Sequence, residues 1–324
     1  MVTTDGIARH AIGEGVADHV KFLREILRCP VCKGELAIGD GVECRACGRR
    51  FTRRQFCLDL IPYDDLKGAQ WETWEQLQRN GQAVYERDPE NNLAVGERWD
   101  AVAFRRFCHL SGRVLDVGCG IQEHPSYVDP RAIDGFVGVD PLGGAGSRAY
   151  PFVQALGEFL PFANGSFDSC LFATSLDHLV LPKKGLAQAA EVLRDGGLLH
   201  IWHGCLYPPA GRAIRFKRHA TLLITTYWRR VRELASLGEY GEILTRSLQR
   251  LHVLRRPTSV AASPSPPEPE PPAGAEDSFH LRHFSEAELV QWARELDLRV
   301  VERRAIPSSF VSYHLFLTLK KKRR

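Results

Sequence analysis

The chain has 324 residues, of which 44% are hydrophobic and 25% are charged, and its formal net charge is +4. This is the composition of an ordinary globular protein, and the mild charge does not indicate a protein that binds nucleic acid with its whole surface. No apolar run reaches the roughly 18 residues of a membrane span, and the N-terminal residues lack the pattern of a secretory signal. The nine cysteines, four of them in close pairs, favour a metal site in a reducing compartment. We therefore expect a cytoplasmic protein.

The first predicted unit is a small cysteine-bearing one over residues 25–63, preceded by a polar arm, residues 1–24, that we expect to be flexible. The unit contains two C-x2-C pairs separated by eleven residues: Cys29, Cys32, Cys44 and Cys47. Four thiolates at this spacing supply a closed tetrahedral site, so the pattern predicts one structural zinc ion and no catalytic one. Because about 40 residues barely support their own core, the metal could serve folding. Basic side chains on the same unit could alternatively contact phosphate. These side chains are Arg45, Arg49, Arg50, Arg53 and Arg54.

Residues 64–111 show a helical pattern with three tryptophans, and we interpret them as a helical linker or cap. Over residues 112–320 apolar runs alternate with helical or glycine-rich segments, which indicates an α/β fold whose parallel sheet is buried on both faces. The predicted strands are VLDVG, FVGVD, FVQAL, FDSCLFAT, LLHIWH, LRVVERR and YHLFLTLK. The segment KGLAQAAEVLRDGG predicts a helix that its two glycines end. Ser285 and Glu288 predict a capping box at the start of the last helix.

A basic helical insertion is predicted over residues 206–256, and a disordered linker rich in proline, serine and glutamate over residues 257–277. A basic amphipathic helix can form a solvated lid, cover an acidic substrate or make peripheral contact with an anionic membrane surface. The sequence alone leaves these roles open.

The strand VLDV carries Asp116 to the carboxyl end of the sheet, where open α/β sheets bind their ligands. Gly118 and Gly120 follow at once and allow the backbone to pass close to a ligand. The next strand ends in Asp140, a position from which a carboxylate accepts hydrogen bonds from ribose hydroxyls. Taken alone, this pattern is compatible with a ribose-containing ligand and equally with a structural turn.

Several further segments occur in a fixed order: VLDVGCG, GVD, LGEFLPF, GSFD and EVLRDGGLLHI. This series, over residues 112–204 and again from 279 to 320, resembles the class I S-adenosylmethionine-dependent methyltransferases. The resemblance implies a Rossmann-like sheet flanked by helices, S-adenosylmethionine as cofactor and methyl transfer as the reaction. The cysteine unit resembles the zinc ribbon of activator subunits of tRNA methyltransferases, and it is similar to ribbons fused before ribosomal RNA guanine methyltransferases.

The resemblance also implies roles for individual residues. Asp116, Gly118 and Gly120 would contact the methionine part of the cofactor, and Asp140 would hold the ribose hydroxyls. Thr174 or Ser175 would lie beside the sulfonium. The adenine would meet the backbone near Leu156 and Gly157, and Glu158 is a substitute for the acid that the family often has at the position of Leu156. Gln122 departs from the family pattern, because a small residue is common there.

Asp177 and His178 follow the fourth strand, where substrate-facing residues of the family occur, and we interpret them as the catalytic pair. A histidine beside an aspartate could deprotonate a hydroxyl at neutral pH, although helix-start residues with no catalytic task would look the same. Further candidates are His203, His280 and His283.

The leading functional hypothesis is methylation of a small-molecule, glycan or lipid-linked acceptor. The segment ATSLDHL lacks the Asn/Asp-Pro-Pro-aromatic run of the methylases that modify exocyclic base amines. Ring-nitrogen methylation of RNA, with the ribbon recognising the substrate, is one alternative, and a non-catalytic cofactor-binding scaffold is another. The acceptor atom and the oligomeric state are left open.

Overall fold

The computed structural model describes residues 22–54, 57–87, 98–121, 125–143, 148, 150–208, 272–273, 275, 280–281, 283–309 and 311–322. The predicted helical insertion and the predicted linker lie almost entirely outside these residues, as does most of the predicted N-terminal arm. Residues 206–208, 307–309 and 311–313 belong to a second compact unit, and the other described residues belong to the first. None of the helices in the described part of the chain has the length and apolar character needed to cross a bilayer.

The described chain contains four helices of two turns or more, and residues 22–26 add a short helical segment. The four are α1 (Ala69–Arg87), α2 (Trp99–Cys108), α3 (Pro182–Val192) and α4 (Glu286–Glu295). Helix α2 ends where His109 takes a left-handed conformation with φ of 45°. Helix α4 starts with the predicted capping box, because Ser285 accepts from the backbone N–H of Glu288 while the Glu288 carboxylate accepts from the N–H of Ser285.

Eleven strands of the described chain form one sheet in the order β1-β2-β3-β4-β7-β6-β5-β8-β9-β11-β10. They are β1 (Leu36–Ile38), β2 (Val42–Cys44), β3 (Arg50–Arg53), β4 (Leu58–Asp59), β5 (Arg113–Val117), β6 (Gly135–Asp140), β7 (Phe152–Gln154), β8 (Phe167–Ala173), β9 (Leu193–Leu206), β10 (Leu298–Pro307) and β11 (Ser312–Lys321). The central pairs β7/β6, β6/β5, β5/β8 and β8/β9 are all parallel. The α/β fold class with a parallel sheet is therefore confirmed.

The cysteine-bearing segment continues this sheet. Its last strand, β4, pairs in parallel with β7, so that Leu58 is opposite Val153 and Asp59 is opposite Gln154. A second junction forms where the N–H of Arg28 donates to the carbonyl of Pro161 at 2.8 Å. No local pattern in the sequence predicts that the strands of these two regions pair with each other.

One prediction about a helix end is wrong. Helix α3 ends at Val192, whereas the sequence analysis placed its end at the following glycine pair. Leu193 is already extended and is paired with Phe167, and Gly196 has φ of +80° within β9. At Gly197 a Cβ would come within 3.0 Å of the Asp168 carbonyl oxygen. The glycines are therefore needed for an irregularity in β9 and close packing against β8.

Aromatic side chains fill the core between α2 and the sheet. Phe104 lies with its ring centroid 5.4 Å from that of Trp202 and 5.2 Å from that of Phe316, and Phe107 lies 5.6 Å from Phe316. All four side chains are fully buried. Tilted aromatic pairs at these distances contribute beyond their buried area. The same cluster includes Val114 of β5 and Leu171 of β8, so the core holds β5, β8 and β9 against α2.

Candidate functional site

A cavity of about 310 Å³ opens at the carboxyl ends of the central parallel strands. Each of four successive strand ends contributes to its wall, and α1 contributes apolar side chains. The lining includes Trp74, Leu77, Gly118, Gly120, Tyr127, Asp140, Leu156, Gly157, Glu158, Thr174, Ser175, His178 and His280. The position agrees with the rule that open α/β sheets bind ligands outside the carboxyl ends of their strands.

Asp140 is buried at the end of β6 and faces this cavity. Its Oδ2 accepts a hydrogen bond from the N–H of Gly120 and its Oδ1 accepts one from the N–H of Leu142, both at 2.8 Å. Burial raises the pKa of the carboxyl, while these two backbone donors and the nearby Arg148 oppose the shift. Each oxygen keeps a lone pair for a ligand hydroxyl, so the geometry suits the predicted contact with a ribose.

Asp116 lies behind the glycine turn rather than in the cavity wall. It is fully buried, and its Oδ2 accepts a hydrogen bond from the hydroxyl of Tyr127 at 2.6 Å. Its Oδ1 has no hydrogen-bond partner among the described residues. Burial raises the pKa of this carboxyl to about 7, against the lowering effect of Tyr127 and with a further contribution from the charge of Asp140. An unpartnered buried carboxylate oxygen at this place suits a donor or a positive charge from a ligand.

The turn after β5 depends on Gly118 for two reasons. Its φ of +82° is a conformation that side chains rarely adopt. A Cβ at this position would also lie 2.3 Å from the Cβ of Ser175, which is closer than atoms can pack. The hydroxyl of Ser175 donates to the carbonyl of Val117, so the loops after β5 and β8 are joined directly.

Thr174 is a β-branched residue with φ of +56° at the end of β8. Its N–H donates to the carbonyl of Trp202 at 2.9 Å, which ties the loop to β9. A left-handed β-branched residue costs of the order of 1–3 kcal/mol and occurs mostly at functional sites. Because Thr174 and Ser175 both line the cavity, the structure brings them to the same wall as Gly118.

Leu156, Gly157 and Glu158 form the next wall of the cavity. A Cβ at Gly157 would lie 2.8 Å from a methyl group of Leu179, so only glycine fits there without displacement. Glu158 is buried, and its Oε1 accepts from the N–H of Leu181 at 3.1 Å. Burial raises the pKa of Glu158, and backbone donors including that of Leu181 oppose the shift. A Glu158 carboxylate that is fixed in this wall is compatible with its predicted role as the acid that contacts the adenine.

The predicted acceptor side of the cavity combines one aspartate with several imidazoles. His178 and His280 line the cavity with ring centroids 4.6 Å apart, whereas Asp177 lies just behind them and is 7% exposed. The Oδ2 of Asp177 is 3.8 Å from Nε2 of His280 and 3.5 Å from Nδ1 of His203. Burial lowers the pKa of His203, which does not reach the cavity.

Two contributors to the site escaped the sequence analysis. Tyr127 fixes Asp116 through its hydroxyl, and Arg148 donates to the carbonyls of Gly120 and Leu142 at 2.8 and 3.1 Å. Neither residue belongs to a recognisable motif. The only sequence feature that could have indicated Arg148 is its position shortly after the second strand, because a guanidinium can donate to several loop carbonyls at once.

The four cysteines of the ribbon also converge. Their sulfurs lie within 4.8 Å of one another, with Cys32 and Cys44 at 3.4 Å and Cys29 and Cys47 at 3.8 Å. A tetrahedral zinc ion with bonds of about 2.3 Å sets its sulfurs roughly 3.8 Å apart, so the spacing fits this metal. A Cβ at Gly34 would lie 3.1 Å from the sulfur of Cys44 and 2.6 Å from the Cβ of Ala46, which explains a glycine at this turn.

Comparison with known proteins agrees with this geometry. Residues 115–201 match a family model described as a methyltransferase domain. A curated protein of Mycolicibacterium gilvum (strain PYR-GCK), named an uncharacterized methyltransferase, is 38% identical over 128 residues, which are 36% of this chain and 48% of that protein. The chain thus spans about half the length of this relative.

Similar solved structures include the 1,6-didemethyltoxoflavin-N1-methyltransferase of Burkholderia thailandensis, with 15% identity, a TM-score of 0.47, and coverage of 86% of this chain and 97% of that one. Another is a chain from the Haloferax volcanii complex between the Trm112 methyltransferase activator and a methyltransferase, with 13% identity, a TM-score of 0.40, and coverage of 78% and 98%.

The residues matched by the family model include the glycine turn, Asp140 and the strand ends that form the cavity. The predicted methyltransferase family is therefore confirmed for the matched segment, residues 115–201.

Proposed function

We propose that the chain transfers a methyl group from S-adenosylmethionine to a small-molecule, glycan or lipid-linked acceptor. The observation that carries this proposal is the buried Asp140, whose two oxygens are fixed by backbone donors at the mouth of a cavity formed by strand ends. A carboxylate so oriented selects a ligand with vicinal hydroxyls, as a ribose has.

The remaining walls fit the rest of the cofactor. The amino group of its methionine part is positively charged, and the unpartnered Oδ1 of Asp116 is the buried acceptor beneath that end of the cavity. Gly118 leaves the backbone close to the ligand, and Thr174 and Ser175 are held rigidly beside it. Glu158 stands at the wall proposed for the adenine.

When bound, S-adenosylmethionine supplies a methyl group on a positively charged sulfur. The protein must then chiefly align the acceptor atom with the S–CH₃ bond. We propose that Asp177 and His178 form the acceptor-facing pair, with His178 in the wall and Asp177 holding the imidazoles from behind. Apolar side chains of α1, including Trp74 and Leu77, exclude water from the opposite wall.

The ribbon is proposed to hold one structural zinc ion and to support folding. Its arginines are largely engaged within the chain, which favours this role over phosphate binding. Arg49 pairs with Asp65 at 2.9 Å, Arg54 pairs with the buried Asp59 at 2.6 Å, and Arg53 donates to the carbonyl of Gly39 at 2.9 Å. RNA recognition through the ribbon is accordingly the weaker candidate function.

The division of the chain follows from these roles. We propose a ribbon over residues 25–63, a helical cap over 64–111 and a catalytic domain over 112–320, with β4 as the structural join. None of the nine cysteines, all of which lie in the described residues, forms a disulfide, and this supports the proposal of a reducing compartment and hence of a cytoplasmic location.

Calorimetric titration with S-adenosylmethionine tests the cofactor part of the proposal. Asp140→Ala should weaken binding at least tenfold, because two hydrogen bonds to a charged acceptor are worth roughly 1.5–3 kcal/mol each before water replaces part of them. Asp134→Ala is the matched control, since Asp134 is exposed just before the opposite end of the same strand. Equal affinity of both variants and the wild type would remove Asp140 from the cofactor site.

The acceptor class is identified by transfer of a labelled methyl group into fractionated cell extract. Label in the small-molecule, glycan or lipid fractions supports the proposal, and label confined to RNA supports the alternative. A protein that binds the cofactor and labels no fraction would be the non-catalytic scaffold.

A further inference from the structure

The acceptor side of the cavity contains a side-chain cluster that the proposed methyl transfer does not by itself require. Asp177 and His178 belong to a short 3-10 turn, Leu176–His178, after β8, and His280 precedes α4 more than a hundred residues later. One donor atom from each of these three residues lies within 4.8 Å of the other two. The two histidines line the cavity, and the aspartate is buried behind them.

The buried carboxylate of Asp177 lacks part of its hydrogen bonding. Among the described residues, its Oδ1 has no hydrogen-bond partner. A buried carboxylate oxygen without a partner is strongly unfavourable, unless a cation or a donor reaches it.

His203 does not supply that donor. Its Nε2 is 3.1 Å from the carbonyl oxygen of Phe284, and since a carbonyl can only accept, Nε2 carries the proton. In the neutral ring Nδ1 is then an acceptor, and it faces Oδ2 of Asp177 at 3.5 Å. The ring cannot swing away, because it is fully buried and stacked on Phe284 with centroids 4.1 Å apart. Two acceptors thus face each other, and a positive charge bound to Asp177 would offset the repulsion between them.

We propose that Asp177, His178 and His280 bind a divalent first-row transition metal ion at the acceptor side of the cavity. Two imidazoles and one carboxylate are a ligand set that suits zinc, manganese, cobalt or iron. Ligand bonds of about 2.1 Å in a tetrahedral site set donor atoms roughly 3.4 Å apart, and the observed 3.8 Å between Asp177 Oδ2 and His280 Nε2 is close to that spacing.

This ion would differ in kind from that of the ribbon. Four thiolates close the coordination sphere of the ribbon metal, whereas three protein ligands leave positions open. Since His178 and His280 line the cavity, the open positions face the space available to an acceptor. Bound there, an oxygen of the acceptor would be oriented and made more acidic, which points to acceptors with a hydroxyl or a pair of neighbouring oxygens. This last step rests on the proposed methyl transfer, but the metal site itself does not.

Titration of the full chain with Co²⁺ tests the site, because its spectrum separates the two environments. The ribbon should give intense thiolate-to-cobalt charge-transfer absorption. A second equivalent should add only weak ligand-field bands, as imidazole and carboxylate ligands do. We expect two equivalents per chain for the wild type, and at least a thirtyfold weaker second equivalent for His280→Gln.

His283→Gln is the matched control. Its imidazole is 4.8 Å from that of His280 between ring centroids, but it is outside the three-residue set. This variant should keep both equivalents. His178→Gln provides a second test of the set if His280→Gln fails to fold.

A wild-type protein that takes up one equivalent of Co²⁺, or a His283→Gln variant that loses the second equivalent as fully as His280→Gln, would overturn the proposal. Calorimetry with S-adenosylmethionine on the same preparations separates the two ideas. If the protein binds the cofactor but no second metal ion, only the proposed metal site is contradicted. If it binds a second metal ion but no cofactor, only the proposed function is contradicted.

Discussion

The cysteine ribbon and the cavity at the strand ends both gather side chains into a small volume, but they are assembled in opposite ways. The four ribbon sulfurs come from a single segment between residues 29 and 47. The cavity wall is drawn from separate segments between Trp74 and His280. A site built from one short segment is a local property of the sequence, whereas a site built from strand ends exists only once the sheet has formed. The two regions should therefore respond differently to substitution.

The largest expected effect follows from loss of the zinc ion proposed for the ribbon. Cys29→Ser combined with Cys44→Ser removes two of the four thiolates, both buried, and should abolish zinc binding and unfold the ribbon. In comparable small sites the apparent free energy of zinc binding is roughly 10–16 kcal/mol, and it acts as folding free energy. No other interaction in a unit of this size contributes as much. Metal content per chain and thermal unfolding measure the result.

Cys57→Ser, at a half-buried cysteine outside the cluster, is the control for this experiment. One zinc ion per chain in the double variant would contradict the assignment. Cofactor affinity in the same variant sharpens the comparison. Because β4 pairs with β7, we expect loss of the ribbon to weaken cofactor binding as well.

The second effect concerns the floor of the cavity and depends on pH. Since the folded-state pKa of Asp116 is raised from 3.8 to about 7, the folded protein holds a proton that the unfolded chain releases between these values. The free energy of unfolding of the wild type therefore falls as pH rises through this window. Asp116→Asn should remove that fall and gain up to roughly 4 kcal/mol at pH 8.

Unfolding curves at pH 5 and pH 8 measure this gain, with Asp134→Asn as the exposed control. An equal stability difference between wild type and Asp116→Asn at both pH values would show that Asp116 is ionised throughout. We expect the same variant to bind S-adenosylmethionine more weakly, because it lacks the negative charge proposed to face the amino group.

A smaller effect is expected at the glycine turn. Gly118→Ala forces a side chain into a left-handed conformation and against Ser175, and should destabilise the protein by about 1–3 kcal/mol. Gly135→Ala is the control, since a Cβ there has no neighbour within 4 Å and φ is negative. Adding Ser175→Gly to Gly118→Ala should recover part of the loss in chemical denaturation. If it recovers nothing, the contact with Ser175 is not the cause.

The smallest effect concerns a contact that joins the two regions. Nζ of Lys33, in the ribbon, donates to the carbonyl of Leu160 and to the side chain of Gln188, each at 2.7 Å. Lys33→Met should lower the free energy of unfolding by about 1 kcal/mol and leave zinc content unchanged. Lys67→Met, at an exposed lysine, should leave both quantities as they are. A loss of zinc in Lys33→Met would show that the contact of Lys33 with Leu160 and Gln188 also stabilises the metal site.

The sequence was informative where local chemistry decides the structure. The spacing of Cys29 and Cys32 predicts convergent thiols, and the apolar runs predict the central strands, because hydrophobic period and turn residues act over a few positions. The place of Asp140 at the end of its strand follows from the same apolar pattern, and its contact with a ribose stays a prediction. The capping box at Ser285 is likewise local and was predicted correctly.

The features that depend on tertiary contacts could not be predicted from the sequence. The pairing of β4 with β7 has no local signature, since two-residue strands are below the length at which a pattern is visible. The hydroxyl of Tyr127 donates to Asp116 across a separation of 11 residues, which no local pattern predicts. The approach of His280 to Asp177 likewise follows from packing. Helix α3 was predicted too long because glycines that fit against β8 look like a helix stop.

The parallel pairing of β4 with β7 has one more consequence. A strand at the border of a sheet presents free backbone donors and acceptors, and it readily recruits a strand from another molecule. In this protein Leu58 and Asp59 occupy the side of β7 that would otherwise be such a border, and the N–H of Leu60 adds a bond to the carbonyl of Gln154 at 2.8 Å. Strand β4 is in turn held by β3 of the ribbon. Removal of the zinc ion proposed for the ribbon would therefore expose an unpaired strand edge, and we expect self-association to be its first visible result.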